Sequence, residues 1–189
     1  LRLALAAAAL VALTSPALAQ EPWTIELRTG GNAATESFDG ADLQFGAGLE
    51  VSIAYRVAPG VSLFGGWDRQ HHRAEDQIVG MEVELEDTGY VYGVRFEAPA
   101  GAKVKPFVRV AGLWNHVEVE SEGGEGLAES DHTWGFEAGA GLDVSVGRTW
   151  SLTPGVRYRR FERTIRFGST ELPTTLAYVV FDVGIAWRF

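Results

Sequence analysis

The last eleven residues of the chain alternate between two kinds of side chain. They read V-V-F-D-V-G-I-A-W-R-F, from Val179 to Phe189. One parity carries large apolar side chains and ends in two aromatics, whereas the other carries small or charged side chains. A period of two is that of a β-strand, whose successive side chains point to opposite faces. Because the apolar face is continuous, it is unlike the edge strand of a water-soluble sheet and typical of a strand between lipid and a polar lumen.

The same alternation recurs along the chain and predicts eight strands joined by alternating long and short connections. Short turns on one side and long loops on the other are typical of outer-membrane barrels, which have an even number of strands. No long apolar stretch with a helical period follows residue 19. We therefore predict an all-β fold, an eight-stranded antiparallel up-and-down transmembrane β-barrel. The predicted strands are Trp23–Thr29, Ala41–Tyr55, Val61–Gln70, Met81–Glu97, Lys103–Glu120, His132–Val146, Trp150–Arg160 and Thr174–Phe189.

In two of these strands the apolar parity changes partway. The fourth strand has Leu85 on the odd parity but Tyr90 on the even one, which predicts a bulge or a break near residues 87–89. The fifth strand shows the same change after His116, because Val117 is odd.

The first 19 residues have the pattern of a cleavable signal peptide. Arg2 supplies a positive charge, residues 3–13 form a Leu/Ala segment, and Ala17 and Ala19 form an A-x-A cleavage site. A transmembrane helix would need a longer apolar segment. We expect residues 20–189 to form one barrel domain. The sequence has no cysteine, so it predicts neither a disulfide framework nor a lipid-bearing cysteine.

The C-terminal residues Asp182, Gly184, Trp187 and Phe189 resemble the β-signal of bacterial outer-membrane proteins, which in that family is read by the barrel-assembly machinery. The chain as a whole resembles the small OmpA/OmpX-type outer-membrane barrels, including their G-x-G strand pattern. This resemblance implies a location in the Gram-negative outer membrane, in contact with lipid and lipopolysaccharide, and we expect a monomer. It also implies roles in envelope integrity, adhesion or surface interaction, and no cofactor.

A water-soluble eight-stranded barrel, such as a lipocalin, is the structural alternative. The polar face argues against it, because that face is crowded with small residues and carries only isolated charges. The positions of the aromatic residues on the apolar face favour a membrane, because such rings are stable at the level of the lipid headgroups. They are Trp23, Tyr55, Phe96, Trp150, Trp187 and Phe189 toward one rim, and Phe45, Trp67, Trp114 and Trp134 toward the other.

Charged residues on the lumen parity are expected to form ion pairs, because buried charges need partners. Arg28 and Asp182 lie on the two strands that close the barrel and are predicted partners. Eight strands leave an interior that side chains can fill, so the sequence favours a closed lumen. A gated ion path is the alternative. The predicted network is Glu26, Arg28, Glu50, Arg95, Arg109, Glu137, Asp143, Arg157 and Asp182, with Arg159 and Arg188 on the same parity.

Charge is segregated among the long connections. Acidic residues dominate two of them, whereas the last one carries Arg160, Arg163 and Arg166. These charges either bridge neighbouring loops or bind ligands. In the second case the acidic loops would bind divalent cations, and the arginines would bind lipopolysaccharide phosphates or an anionic glycan on a host or cell surface.

We predict that the protein is not an enzyme. Some eight-stranded barrels hydrolyse lipid A with Ser, His and an acid, but no strand here carries a His-x-Ser arrangement. The adjacent His71 and His72 lack the further ligand spacing of a metal site. A formal charge of −9 argues against nucleic-acid binding. The nearest candidates for a hydrolase are Ser130, His132 and Glu137, or His116 with Glu118.

Overall fold

The strands account for most of the chain that the structure describes. The structure is a computed structural model and describes residues 21–36, 45–74, 83–99, 101–121, 126–167 and 170–189. No helix in these ranges is long and apolar enough to cross a membrane. The strands found there are β1 Trp23–Ala34, β2 Gly46–Ala58, β3 Val61–Ala74, β4 Val83–Glu97, β5 Val104–Ser121, β6 Gly126–Ser130, β7 Thr133–Ser145, β8 Trp150–Phe167 and β9 Thr170–Arg188.

Every strand pairs antiparallel with its neighbours, and the sheet closes into a barrel. Strands β6 and β7 form one barrel strand, interrupted at Asp131 and His132, because both lie between β5 and β8. Strands β1 and β9 complete the ring. At its edge Trp23 N donates to Phe189 O at 3.2 Å, and Phe189 N donates to Trp23 O at 3.0 Å. The predicted eight-stranded barrel is confirmed.

Three short connections lie at the same end of the barrel as residues 23 and 189. Each contains a glycine in the left-handed region, Gly60 at φ 73°, Gly101 at φ 121° and Gly147 at φ 94°, where other residues are strained. Because short turns of such barrels face the periplasm, we call this end the periplasmic end and the opposite one the outer end.

The predicted bulge near residues 87–89 is wrong. Strand β4 keeps one register with β3 and with β5 from Val83 to Phe96. The inward parity is odd throughout, so Leu85 and Val91 are both buried inside the barrel. The parity appeared to change because β4 itself carries apolar residues on its lumen face, which were taken for outward-facing ones.

The predicted change of parity after His116 is wrong for the same reason. Val117 continues the inward parity of β5 and is buried, and the pairing with β4 remains in register. The register does shift against the short strand β6, between Val119 and Glu120.

Several strands extend further toward the outer end than the alternation predicted. Strand β8 continues to Phe167 and pairs with β9 up to Thr170, where a loop was predicted. Strand β3 likewise continues to Ala74. These extensions carry no lipid-type apolar face, so their sequence resembles that of a loop. Predictions on residues 1–20, including Ala17 and Ala19, and on residues 37–44, 75–82 and 122–125 lie outside the described residues.

The outer face of the barrel is apolar, and its aromatic residues form clusters near the rims. At the periplasmic end Trp23 contacts Tyr55, with ring centroids 4.7 Å apart, and Trp187 lies 4.7 Å from Phe189. Toward the outer end Trp114 and Trp134 have centroids 5.0 Å apart. Rings at two levels, separated by exposed aliphatic side chains, match the interfaces of a bilayer.

Inside the barrel the outer half contains an apolar cluster beside buried polar side chains such as Gln70 and His72. A buried cluster contains residues from β4, β5, β8 and β9, with side chains of β3 and β5 packed against it. Because β3, β4 and β5 lie across the ring from β8 and β9, the cluster joins opposite sides of the lumen. Its buried members are Leu85, Val91, Leu113, Val117, Phe161, Leu176, Tyr178 and Val180, and Phe64 and Ala111 pack against them.

Candidate functional site

The periplasmic half of the lumen contains a network of buried charged side chains, which is the candidate site. Every second side chain along a strand points into the barrel, so charged residues at these inward positions share one interior. We refer to this group as the lumen network. Its cations are Arg28, Arg95, Lys105, Arg109, Arg157, Arg159 and Arg188, and its carboxylates are Glu26, Glu50, Asp68, Asp87, Glu97, Glu137, Asp143 and Asp182.

The level nearest the periplasm joins strands β4, β5, β7 and β9. Arg95 donates hydrogen bonds to Glu97 and Asp143, both at 3.0 Å. Lys105 Nζ donates to Glu97 Oε1 at 2.6 Å, and Arg188 forms an ion pair with Asp143. The charges at this level are therefore bridged around one side of the ring.

The next level joins the two strands that close the barrel to β8. Arg28 donates from Nη1 to Glu26 Oε1 at 2.6 Å and from Nη2 to the Thr153 carbonyl at 3.0 Å. It also forms an ion pair with Asp182, the residue that the sequence suggested as its partner. Arg95 lies 3.5 Å from Glu26 and so connects this level to the level nearest the periplasm.

The central level crosses the lumen. Arg109 donates to the two carboxylate oxygens of Glu50 at 3.0 and 3.3 Å, a two-pronged contact that suits the planar guanidinium. Its Nε lies 2.8 Å from Glu137. Arg157 contacts Glu50 and Glu137, and its Nε donates to Asp182 at 2.5 Å. Strands β2, β5, β7, β8 and β9 are thus joined by side chains through the barrel interior.

The outermost level of the network meets the apolar cluster. Arg159 donates from Nε to Glu137 at 2.8 Å and forms an ion pair with Asp68. Its Nη1 lies 3.2 Å from the Tyr178 hydroxyl, which donates to Asp87 at 2.6 Å. Tyr178 therefore joins the two halves, with its ring in the cluster and its hydroxyl in the network.

Two lumen-facing glycines leave the space that the arginine side chains occupy. A Cβ atom at Gly139 would lie 2.8 Å from Arg157 Cγ. At Gly184, which belongs to the C-terminal motif, it would lie 2.8 Å from Glu26 Oε1 and 3.0 Å from Arg28 Cγ. The two separations of 2.8 Å are shorter than a Cβ atom allows, so larger residues at either glycine would displace members of the network.

Two inward phenylalanines stack on arginines of the network. The Arg95 guanidinium carbon lies 3.9 Å from the Phe107 ring centroid, and that of Arg109 lies 4.2 Å from the Phe64 centroid. Such contacts stabilise a cation whose hydration has been removed.

The sequence prediction missed some members of the lumen network. Asp68, Asp87 and Glu97 were not assigned to it, although all three form ion pairs or hydrogen bonds there. Continuing the period of two through β3, and through β4 without a break, would have identified Asp68 and Asp87 as inward.

The arginines of the last connection lie on the β8 extension at the outer end. Arg160 is half exposed at its side chain and lies 3.2 Å from Glu36 and 3.7 Å from Glu162. Arg166 pairs in the backbone register with Glu129 and Glu171, and Arg163 with Thr174.

Of the hydrolase candidates, His116 and Glu118 do meet, with His116 Nε2 3.0 Å from Glu118 Oε1, whereas Ser130, His132 and Glu137 do not come together in one site. Ser130 is buried, and its hydroxyl accepts the Val117 N–H at 2.9 Å. His132 is exposed on the barrel exterior and its ring lies 4.6 Å from that of His116. Glu137 is held by arginines in the lumen network, so it is directed away from His132.

The histidine pair is also separated. His71 lies 3.6 Å from Glu84, whereas His72 is buried and its ring is 4.9 Å from that of Tyr178. Within the described ranges no three His, Asp or Glu side chains are placed to hold a metal ion.

The C-terminal motif has two separate faces. Trp187 and Phe189 are exposed on the outer face, whereas Asp182 and Gly184 are buried in the lumen. A closed antiparallel barrel with an apolar outer face and paired charges inside defines the protein as a small outer-membrane β-barrel.

The comparison with known families gives the same class. The family model described as outer membrane protein beta-barrel domain matches residues 5–189, and the chain belongs to this family. The predicted location in the bacterial outer membrane is thereby confirmed. No curated protein sequence matches the chain significantly.

Solved structures of outer-membrane proteins share the fold at low sequence identity. Neisserial surface protein A is 17% identical, with 88% of this chain and 97% of that chain covered and a TM-score of 0.64. OprG from Pseudomonas aeruginosa is 11% identical, with 90% and 97% covered and a TM-score of 0.59. Ail of Yersinia pestis, in complex with the heparin analogue sucrose octasulfate, is 13% identical, with 88% and 99% covered and a TM-score of 0.51.

Proposed function

We propose that the protein is a non-conducting outer-membrane barrel that contributes to envelope integrity and interacts with anionic surface ligands through its outer end. Its function involves no catalytic residue. The single observation that carries the proposal is the lumen network together with the apolar cluster above it. Ions would have to break several buried ion pairs and then cross an apolar region, and both steps are costly.

The small cavity volume and the buried apolar side chains of the interior favour a closed lumen over a small pore. A cavity beside the network, lined by Glu26, Arg95 and Arg109 among others, has a volume of about 40 Å³, far below the roughly 300–1,000 Å³ of a ligand pocket. A continuous water-filled path would need a chain of such cavities through the Leu113 and Phe161 level, where the side chains are buried and apolar.

Single-channel recording tests the closed lumen directly. The mature chain, refolded and inserted in a planar bilayer, should show no steady unit conductance. Glu50→Gln and Arg109→Gln variants should behave in the same way, since the apolar cluster remains. A reproducible unit conductance that either substitution changes would show that the protein is a channel.

The outer end supports an interaction with anions. The β8–β9 extension presents the guanidinium of Arg160 at the surface and carries Arg163 and Arg166 in the sequence. Guanidinium groups bind phosphate and sulfate with two hydrogen bonds each. Ail, which shares the fold, is described in complex with a sulfated heparin analogue. We infer that lipopolysaccharide phosphates or a sulfated or otherwise anionic glycan bind here.

A binding measurement with heparin tests this interaction. The triple substitution Arg160→Gln, Arg163→Gln and Arg166→Gln should weaken heparin binding by roughly tenfold or more, because charge-assisted hydrogen bonds are lost. The control is Arg69→Gln with Arg73→Gln on β3, which removes two arginines toward the outer end but outside the last connection and away from the periplasmic end. Weakening to the same extent by both variants would contradict a specific site formed by Arg160, Arg163 and Arg166.

We further propose two processing steps. Residues 1–19 would be removed on export, with Ala17 and Ala19 at the cleavage site, and the C-terminal motif from Asp182 to Phe189 would be read by the barrel-assembly machinery. Exposed aromatic side chains on the last strand support the second step, because Trp187 and Phe189 are accessible at the periplasmic end.

A further inference from the structure

The periplasmic end of the barrel opens into a cavity of about 680 Å³. We call this cavity the periplasmic mouth. Its lining includes residues from two of the three short connections, those that contain Gly101 and Gly147, and residues next to the start of β1 and at the end of β9. The charged residues of the lining are Arg56, Lys103, Lys105, Arg148, Arg188 and Glu21.

Cations dominate the mouth although the chain as a whole is acidic. The formal charge of the chain is −9, yet five of the six charged side chains in this lining are basic. A concave site lined by one sign of charge concentrates its field and attracts ions of the opposite sign. The mouth is therefore an electropositive site on a negatively charged protein.

Two of these cations have no carboxylate partner within the described residues. Lys105 pairs with Glu97 at 2.6 Å, and Arg188 pairs with Asp143. Lys103 and Arg148 are exposed and form no such ion pair in the described ranges. Their charge is available to a ligand without loss of an existing bridge.

The mouth ends at the lumen network. Lys105 and Arg188 belong both to its lining and to the network, where they pair with Glu97 and Asp143. An anion that enters from the periplasm meets paired charges and then the apolar cluster. The geometry is therefore that of a blind site, which binds an anion without passing it on.

We propose that the periplasmic mouth binds a phosphate-bearing anion with more than one negative charge. Lysine ammonium groups act as point charges toward phosphate, and arginine adds two parallel hydrogen bonds. Several cations around one cavity favour a multivalent ion over a single carboxylate. The phosphate belongs either to a soluble periplasmic ligand or to an anionic phospholipid headgroup of the inner leaflet.

The test uses the refolded mature chain in a zwitterionic detergent, titrated with sodium tripolyphosphate at constant ionic strength. Binding should shift the backbone amide resonances of Gly101 and Gly147, which lie in or beside the lining. The Lys103→Gln/Arg148→Gln variant should bind at least about tenfold more weakly. Neither residue forms an ion pair in the described structure, so the variant should fold normally.

The matched control is Arg69→Gln/Arg160→Gln, which removes the same charge near the outer end. It should leave the response of Gly101 and Gly147 unchanged, even if the outer end binds anions as well. An unchanged affinity in the Lys103→Gln/Arg148→Gln variant, or no shift at Gly101 and Gly147 in the unmodified chain, would overturn the proposal. Neither result would bear on conductance or on heparin binding.

A second arm identifies the source of the phosphate. In nanodiscs of phosphatidylglycerol, compared with phosphatidylcholine, a headgroup ligand should shift the same two resonances without added tripolyphosphate, and the double variant should not respond. A response to tripolyphosphate alone would assign the site to a soluble ligand. No response in either arm would exclude a phosphate site.

Discussion

Arg159 binds three other side chains of the lumen network at once. Its side chain is buried among Asp68, Glu137 and Tyr178. Glu137 has two other arginines, but Asp68 has only Asn115 as a further described partner, at 3.3 Å. Loss of the guanidinium would therefore leave Asp68 as a buried charge without a cation.

We expect Arg159→Met to lower the free energy of unfolding by about 3–5 kcal/mol, the usual cost of removing one partner from a buried ion pair. Adding Asp68→Asn should restore a large part of this loss, because the buried charge is then gone. Reversible urea unfolding of the refolded barrel in lipid vesicles measures both values. Equal stability of the single and double variants would show that Asp68 is not the group left unpaired.

The sequence predicts some of the charged residues in the lumen but not all of them. The alternation placed Arg28 and Asp182 in the lumen on adjacent strands, and the structure brings them together. Asp68 and Asp87 were not assigned to the lumen, although both lie in predicted strands. Asp87 was missed because the apolar Leu85 on its own parity was taken for an outward residue, which predicted a break where β4 is continuous. No such signal hid Asp68, which already lies on the inward parity of the predicted third strand.

At the level of the element, β9 combines three tasks in one strand. Its odd residues form part of the apolar outer face, its even residues supply Asp182 and Gly184 to the lumen, and its backbone closes the ring with β1. For strand β4, in contrast, the prediction from the sequence was wrong. Its regular pairing was read as a bulge, because Leu85 and Val91 are apolar residues that face inward.

We expect Phe189→Ala to reduce the folded fraction in the outer membrane of cells by severalfold, whereas refolding from urea into detergent should change little. The assembly machinery would read the terminal ring, while the barrel itself is stabilised mainly by its pairings and interior. Heat-dependent mobility on gels measures the folded fraction in both settings.

Phe181→Ala is the matched control, since it removes an outward ring from the same strand but outside the motif. It should affect both assays weakly. Loss of in vitro refolding by Phe189→Ala would assign the residue to stability and not to recognition.

At the level of the whole molecule, the sequence predicted the alternation of short and long connections. It predicted only some of the side chains that fill the lumen. Strand number and the alternation of short and long links follow from local patterns of turn residues and periodicity. The separation of the lumen network from the apolar cluster depends on strands distant in sequence, since Leu85, Phe161 and Leu176 belong to one cluster.

The orientation of the barrel can be measured because the chain contains no cysteine. A cysteine at Glu162, which is exposed at the outer end, should react with a membrane-impermeant maleimide in intact cells. A cysteine at Arg148 should react only after the outer membrane is permeabilised. The reverse pattern would place the long connections in the periplasm and would contradict the assignment of both ends.

The length of the β8–β9 hairpin has a consequence for how the outer end meets a partner. The two strands contain 18 and 19 residues, or roughly 60 Å at about 3.3 Å per residue. At a tilt of about 45°, they rise about 40 Å, compared with an apolar band of about 25 Å. The hairpin therefore projects beyond the bilayer as a paired, stiff ribbon. A partner that binds along this ribbon meets a backbone ordered in advance, so association loses less conformational entropy than with a free loop.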